Sequence, residues 1–465
     1  MKDRCCFWTL IVNSLLEKVN RKLNAQGGLL KSVGLLVGGT AGAQLLLIAA
    51  TPFLTRLYSP SDFGILAAFV ALLAFFTVVA NGRYELAIHL PEKIEDTVAI
   101  TVLAFLCLLF TTFIASVSTI LLSKPIASLL NAPQLASYLW LLPFSIFFIG
   151  LYQICNAWCV RQKQYKAIAS TRVIQSIVTL LIQLSTFKLS ALGLLLGQAV
   201  GQGAGSLKLS LQAIRNTKEF RKVQFVQIKA VAKRYKSFPI YSTWTGLFNT
   251  ASLQLAPLVF LSLFGATVAG LYALTLKLVS LPISLIGQAI GSVFLSEAPK
   301  ANREGRLNTL VLQFNKKLVQ LGCLPTAILI VFGPELFAFV LGEQWYKAGE
   351  YAQWLAPWIF LQFQWTPLSN LTVVLELQKE ALISQLLTFF ARFGALFVAI
   401  GLEVGADSAI QLFAVVSAIV YFLMISYYFI RAKVSLINIM RTNILYLVPV
   451  LGVVFFIKWS LDAVI

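Results

Sequence analysis

The stretch RNTKEFRKVQFVQIKAVAKRYK, residues Arg215–Lys236, divides the chain into two apolar halves. It carries eight basic residues and a single acid, Glu219. About six apolar segments precede it and about six follow, each of roughly the 20 residues that an α-helix needs to cross the hydrocarbon core of a bilayer. We interpret this stretch as a basic cytoplasmic connector between two membrane-embedded halves.

The composition argues against a soluble globular protein. Of the 465 residues, 58% are hydrophobic and 12% are charged, and the mean hydropathy is +0.83, whereas soluble domains carry roughly 25% charged residues. The net charge of +19 lies in short loops between apolar runs, and not on one soluble face, so it does not indicate nucleic-acid binding. We therefore predict an all-α polytopic membrane protein surrounded by a lipid bilayer.

The apolar segments predict twelve spans and a candidate thirteenth. They are 29–54, 63–88, 97–122, 135–159, 167–187, 190–213, 240–264, 267–294, 315–340, 350–374, 381–402, 408–430 and 443–460. With a cytoplasmic N-terminus, the inner loops and the inner ends of the spans hold 28 Lys and Arg residues, and the outer loops and outer ends hold 5. The positive-inside rule therefore predicts that orientation.

These spans give the expected domain organisation. It comprises a cytoplasmic tail (1–28), an N-terminal six-helix bundle (29–213), the connector (214–239), a C-terminal six-helix bundle (240–430) and a C-terminal extension (431–465).

Glycines recur every four residues in two of the spans. Gly34, Gly38 and Gly42 do so in the first span, and Gly193, Gly197, Gly201 and Gly205 do so in the sixth. Such ridges let helices approach closely in lipid, where apolar burial no longer drives association. We expect helix packing from both ridges, with a surface facing a substrate as the alternative.

The two halves show a faint internal repeat. LTRLYSPSDFGILA (54–67) is similar to LSLFGATVAGLYA (261–273), and YLWLLP (138–143) is similar to YAQWLAP (351–357). Because six spans separate the equivalent segments, both halves share one orientation. This arrangement implies a pseudo-two-fold axis along the membrane normal.

Three stretches carry a resemblance to a known family. They are RLYSPSDFGIL (56–66), NGRYELAI (81–88) and AWCVRQKQYKAIASTRVI (157–174). They resemble the polysaccharide-transporter branch of the multidrug/oligosaccharidyl-lipid/polysaccharide (MOP) exporter superfamily, the Wzx-type O-antigen and capsule flippases. The candidate thirteenth span departs from the twelve-helix pattern of that branch.

The resemblance implies a fold and a function. It implies a MATE-like, V-shaped pair of six-helix bundles that moves undecaprenyl-pyrophosphate-linked oligosaccharide across the bacterial inner membrane by alternating access. It further implies coupling to protons or sodium ions and work beside a polysaccharide polymerase complex. We expect no covalent chemistry, no metal and no cofactor, and therefore no enzyme.

Two cations lie deep within the predicted spans, an observation that is independent of the resemblance. Lys277 is about ten residues into its span and Arg392 about eleven. A charge at that depth costs about 2.5–3.5 kcal/mol on insertion scales, so it usually faces a polar interior and serves a function. Snorkelling or pairing with a distant acid is the alternative.

Polar residues share helix faces with the two cations. Ser284 and Gln288 follow Lys277 at helical spacing, and Gln385 and Thr388 precede Arg392. A third stripe consists of Ser242, Thr245, Asn249 and Ser252. We predict that Lys277, Arg392, Asn249 and Gln288 line a hydrated central cavity, with ordinary hydrogen bonding between helices as the competing interpretation of the stripes.

The sign of the buried charge indicates an anionic substrate. No Asp or Glu lies deep in any predicted span, whereas a drug-cation exporter would use a buried carboxylate. A pyrophosphate headgroup needs Lys or Arg to offset its lost hydration. We place Arg83 and Arg172 on the cytoplasmic approach, against the alternatives of topological anchoring and, for Arg83, a local pair with Glu85.

Tryptophans accompany these groups. They are Trp140, Trp158, Trp244, Trp354, Trp358 and Trp365. Sugars stack on aromatic faces, but Trp also belongs to the interfacial belt and to helix packing.

Two other functions stay open: a MATE-like exporter of drug cations, and a membrane glycan polymerase or ligase, which would be expected to carry a large outer loop.

Overall fold

The structure, a computed structural model, describes residues 29–215 and 224–463, apart from the side chains of 29–37, 212–215, 281, 282, 284, 288 and 289. The predicted tail 1–28 and the acid Glu219 of the connector lie outside the described residues. The described ranges are helical and contain no strand. The prediction of an all-α polytopic membrane protein is confirmed.

Thirteen helices organise the described chain. They are α1 (Leu29–Leu57), α2 (Pro60–Val79), α3 (Ile94–Leu129), α4 (Leu141–Arg161), α5 (Tyr165–Ser185), α6 (Ala191–Arg215), α7 (Phe225–Arg234), α8 (Thr243–Arg303), α9 (Leu307–Leu341), α10 (Tyr346–Leu368), α11 (Gln378–Gly401), α12 (Ala406–Arg431) and α13 (Leu436–Asp462). Short helical turns lie at Tyr84–His89, Pro133–Ala136, Phe187–Leu189, Phe238–Ser242, Glu343–Trp345 and Leu371–Val374.

Nine helices of the described chain are long and apolar enough to cross a membrane. Helices α1, α6 and α10 also contain predicted spans but are not among the nine. Helix α6 carries Gln198, Gln202 and Lys208, which lower its apolarity. Helix α13 is among the nine, so the candidate thirteenth span is a helix of sufficient length and apolarity.

Helix α8 contains two of the predicted spans. Its 61 residues would extend about 90 Å as one straight helix, about three times the thickness of the hydrocarbon core. Gly265 has φ 83° and ψ 176° and interrupts the helical backbone there. This backbone conformation is open to glycine alone, and the break falls in the predicted turn between spans 240–264 and 267–294.

The second predicted span, 63–88, is too long at its C-terminal end. Helix α2 ends at Val79, because Gly82 and Arg83 have positive φ values of 57° and 60°. A short turn, Tyr84–His89, follows instead of a further helical turn of α2. Arg83 therefore lies in a turn and not at the end of a spanning helix.

The described chain forms two compact units that do not follow chain order. Unit 1 contains the described residues of Met1–Ala50, Leu72–Lys124 and Ala136–Ala251, and unit 2 contains those of Thr51–Ala71, Pro125–Leu135 and Ser252–Ile465.

In unit 1, helix α6 packs against both α4 and α5. Its glycine ridge lies against polar side chains of α5. A Cβ atom at Gly197 would collide with Gln183, one at Gly201 with Thr179, and one at Gly205 with Gln175. The prediction that this ridge serves packing is confirmed.

The glycine ridge of α1 behaves differently. Gly38 and Gly42 have open space where a Cβ atom would stand, while Gly39 lies against Ala169 of α5. The packing prediction is therefore wrong for Gly38 and Gly42, since the contact with α5 uses a glycine one position along the helix.

In unit 2, helix α9 packs against α10 and α13, and α12 packs against α10 and α11. The Lys458 ammonium of α13 lies 2.7 Å from the Glu335 carboxylate of α9 and also donates to the Val331 carbonyl. Gln364 of α10 donates to Asn443 of α13 at 3.0 Å. These polar contacts fix α13 against α9 and α10, although most of its surface stays exposed.

Candidate anion-binding site

Arg392 of α11 lies between two aromatic rings of unit 2. Its guanidinium carbon is 4.4 Å from the ring centre of Trp358 on α10 and 4.7 Å from that of Phe413 on α12. The two ring centres are 6.0 Å apart. A desolvated guanidinium gains about 2 kcal/mol from such a contact, so the rings stabilise a charge that the bilayer would otherwise disfavour.

Two tyrosines extend this aromatic surface. Tyr272 of α8 lies 6.0 Å from Phe413, and Phe260 packs behind both at 4.5 Å from Tyr272. The ring of Tyr421 lies 6.2 Å from Trp358. Both tyrosine hydroxyls face the positive charge of the guanidinium. We call Tyr272, Trp358, Phe413 and Tyr421 the aromatic box.

Several polar atoms in the aromatic box lack a hydrogen bond of good geometry. They are Nε of Arg392, Nε1 of Trp358 and the hydroxyl of Tyr272, all buried. Two of the three are pure donors, and the third can donate. No carboxylate of the described chain lies within 4 Å of Arg392. The box therefore offers a positive charge and hydrogen-bond donors, and it supplies no carboxylate to balance the charge.

Lys277 lies on the same helix as Tyr272, and in the same unit as Arg392. Lys277 is five positions after Tyr272, which places it about 7.5 Å further along the helix axis and about 140° around it. Its side chain is exposed, and no residue of the described chain forms an ion pair with it. The alternative of pairing with a distant acid therefore has no support among the described residues.

The structure does not test the other residues predicted for the cavity. Asn249 is exposed and belongs to unit 1, while the side chains of Ser284 and Gln288 lie outside the described residues. Ser384, one turn before Thr388 on α11, lies 2.9 Å from the Tyr428 hydroxyl, and Thr388 donates to the Ser384 carbonyl. These contacts match the competing interpretation of hydrogen bonding between and within helices.

Arg83 of unit 1 has partners within the chain. Its guanidinium lies 3.8 Å from the Glu85 carboxylate, and its Nε donates to the Ser242 carbonyl at 3.3 Å. Gly246 lies so close that any Cβ there would collide with the guanidinium. The structure thus shows the local pair that was the alternative for Arg83, and its place on a cytoplasmic approach stays a prediction.

Glu85 lies outside the spanning helices and is buried, with Oε2 unpaired. Burial raises the pKa of its carboxyl, while a backbone hydrogen bond and the nearby Arg83 charge act in the opposite direction. The backbone hydrogen bond and the Arg83 charge therefore both favour the ionised carboxylate against the effect of burial.

Arg172 of α5 also has an aromatic neighbour. Its guanidinium carbon lies 4.5 Å from the ring centre of Tyr152 on α4, and its side chain is half-buried. No ion pair involves it within the described residues. Its predicted role on the cytoplasmic approach remains open to test.

Sequence reasoning identified Arg392 and named Trp358 among the tryptophans, but it missed Tyr272, Phe413 and Tyr421. These aromatic residues lie in apolar spans, where their pattern is the same as that of packing residues. Only the contact with an unpaired guanidinium distinguishes them.

Residues 53–350 match the family model described as polysaccharide biosynthesis protein. No curated protein matches the sequence significantly. Solved structures share the fold at low identity. A lipid II flippase, MurJ, in an inward closed conformation has a TM-score of 0.71 and 13% identity, covering 92% of each chain. An inward-facing multidrug resistance transporter of the MATE family has a TM-score of 0.67 and 12% identity, covering 89% of this chain and 98% of its own.

Proposed function

Since the chain belongs to the polysaccharide biosynthesis protein family, we propose that it is a flippase for undecaprenyl-pyrophosphate-linked oligosaccharide. The cargo is an O-antigen, a capsule or a related repeat unit, carried from the cytoplasmic to the outer leaflet of the bacterial inner membrane. The similarity to MATE and MurJ structures concerns the fold of a MOP transporter, and it is consistent with movement by alternating access.

The observation that carries the proposal is the unpaired charge of Arg392. The aromatic box holds a guanidinium together with unpartnered donors, and no acid of the described chain balances it. A phosphate oxygen would complete these hydrogen bonds, and contacts with a charged partner are roughly twice as strong as neutral ones. A cationic drug would instead meet a like charge.

Lys277 supplies a second positive group in the same unit. A pyrophosphate carries more negative charge than one guanidinium neutralises, so a free ammonium further along α8 suits the same headgroup. The aromatic rings would provide stacking faces for the first sugars of the glycan. Asn249 and Gln288 stay predicted contacts of the cavity, and Arg83 and Arg172 stay predicted residues of the cytoplasmic approach. Coupling to protons or sodium ions stays a prediction as well.

Export of lipid-linked glycan in a strain that lacks the protein tests this function. Wild type should restore surface glycan, whereas Arg392→Ala and Lys277→Glu should leave the undecaprenyl-linked precursor on the cytoplasmic side. Immunoblotting of membranes and size-exclusion profiles control for expression and folding. If the deletion strain shows normal surface glycan but accumulates cationic drugs, the flippase proposal is wrong and the exporter alternative is right.

A further inference from the structure

Helix α7 of the connector presents an unusual exposed face. Phe225 and Val226 are 77% and 73% exposed, although neither belongs to a spanning helix. Lys229, Lys233 and Lys236 are exposed too. With 100° between successive residues, Phe225, Lys229 and Lys233 fall within about 80° of one another, Val226 borders them, and Lys236 follows in the turn after the helix.

The opposite face of α7 is fixed to the protein. Val231 and Tyr235 are buried, and the ring of Tyr235 packs 6.3 Å from that of Phe238 in the following turn. At the first turn, Gln224 and Gln227 form a reciprocal capping box. The helix is therefore held with its Phe and Lys face pointing away from unit 1.

The chain on either side keeps α7 close to the bilayer surface. Helix α6 ends at Arg215 and α8 begins at Thr243, and both belong to predicted spans. Only eight residues separate Arg234 from Thr243, and the turn Phe238–Ser242 shortens the reach of that segment further.

No acidic residue occurs between Glu219 and Glu297, so none offsets the lysines along α7. An exposed phenylalanine flanked by lysines with apolar stems is typical of a helix that lies in the headgroup region of a membrane. We propose that the face formed by Phe225, Val226, Lys229, Lys233 and Lys236 binds the headgroups of anionic phospholipids. This surface shares no residue with the aromatic box and does not depend on the transported substrate.

Three lysines near a surface, at about a fivefold gain each, give roughly a hundred-fold preference for anionic over neutral lipid. Lipid binding at this face would also affect the position of the next helix. The same segment leads directly to Ser242, whose carbonyl is held by Arg83, so lipid bound at α7 would restrain the start of α8.

A depth measurement on the full-length protein tests the proposal. Val226→Cys, in a background without native cysteines, carries a spin label, and the protein is reconstituted in phosphatidylcholine vesicles with or without phosphatidylglycerol. We expect phosphatidylglycerol to lower the accessibility of the label to a water-soluble nickel reagent and to raise its accessibility to oxygen. A label at Arg234, which is exposed and lies about 140° around the helix from the centre of the lysine face, should stay nickel-accessible in both lipids.

A charge variant separates lipid recognition from simple apolar insertion. Lys229→Gln/Lys233→Gln/Lys236→Gln should abolish the response of the label at position 226 to phosphatidylglycerol. The control Lys166→Gln/Arg303→Gln/Lys433→Gln removes as many exposed charges elsewhere and should keep the response. The proposal is overturned if the label stays nickel-accessible in both lipids, or if it is immersed equally in neutral vesicles and in the triple lysine variant.

Discussion

Arg83 and Arg392 are both cations of a membrane protein, but their surroundings in the described chain differ in whether an acid balances the charge. Arg83 has a carboxylate partner in Glu85 and a carbonyl acceptor in Ser242. Arg392 has aromatic rings around it and no acid of the described chain within 4 Å. The difference supports the proposal that Arg392 binds an anion, since the described chain leaves its charge uncompensated, whereas the charge of Arg83 is compensated within the chain.

The energies support this distinction. Burying a charge costs several kcal/mol even after relaxation, and a cation–π contact returns about 2 kcal/mol. Part of the desolvation free energy of Arg392 is therefore not compensated by the aromatic rings, and a bound anion would compensate it. The charge of Arg83 is already compensated by a neighbouring carboxylate, so a bound anion would add less binding free energy there.

The largest expected effect is that of Arg392→Ala. Loss of one partner of a desolvated charge pair costs about 2–5 kcal/mol, or at least about thirty-fold in substrate affinity. Glycan export should fall to background, and Arg392→Lys should not restore it, because lysine lacks the planar fork and stacks less well. Arg303→Ala, which removes an exposed arginine of α8, is the control. Normal export by Arg392→Ala would remove the proposed site.

Lys277→Ala should have the next largest effect. A hydrogen bond to a charged group contributes about 1.5–3 kcal/mol, so export should fall roughly tenfold or more. Lys277→Glu should abolish export, since it places a negative charge near the pyrophosphate. If Lys277→Glu exported glycan as well as Lys277→Ala does, charge at this position would be irrelevant. The readout is surface glycan normalised to the amount of protein in the membrane.

Tyr272→Phe removes one hydroxyl from the aromatic box and keeps the ring. A neutral hydrogen bond contributes about 0.5–1.5 kcal/mol, so the apparent affinity for substrate should fall a few-fold while the protein stays folded. Tyr346→Phe, at an exposed tyrosine of α10, should change nothing. An equal fall in both variants would show that the hydroxyl of Tyr272 has no special part in binding.

The smallest effect on transport is expected from Arg83→Gln, which should instead lower stability. Without Arg83, the buried Glu85 carboxylate loses its partner, at a cost of about 1–3 kcal/mol. Because burial raises the pKa of Glu85, the folded protein retains the proton to higher pH than the unfolded chain does. The destabilisation should therefore be small in acid and grow as the pH rises.

Thermal unfolding of the purified protein at pH 5 and pH 8 measures this difference. The double variant Arg83→Gln/Glu85→Gln should recover most of the lost stability at pH 8, since it leaves no buried charge. A loss of stability that is equal at both pH values would show that the Glu85 charge is not involved. If Arg83→Gln lost more substrate binding than Arg392→Ala, Arg83 and not Arg392 would be the more important arginine for binding.

Sequence patterns predicted the fold because apolar spans and loop charges leave few alternatives. They also located Arg392 and Lys277, since a cation deep in a span is rare. They placed Arg83 on the cytoplasmic approach with a local pair to Glu85 as the alternative, but they did not show the turn after α2, which depends on the positive φ values of Gly82 and Arg83. A continuous apolar run across this turn made the span look longer than the helix.

The aromatic box was beyond sequence reasoning for a different reason. Tyr272, Trp358, Phe413 and Arg392 come from four helices that are far apart in the chain. Their meeting depends on tertiary packing. The glycine ridges show the same limit, since the ridge of α6 packs against α5 while Gly38 and Gly42 of α1 face open space.

The measurement that tests the central claim most directly is binding of undecaprenyl pyrophosphate to the purified protein in detergent, with undecaprenol as the uncharged control. Wild type should bind the pyrophosphate well above undecaprenol. Arg392→Gln should lose at least about thirty-fold of that affinity, while Arg83→Gln, measured in acid where it is stable, should stay near wild type. Equal losses in the two variants, or equal binding of pyrophosphate and undecaprenol by wild type, would contradict the claim that the unpaired arginine is the anion site.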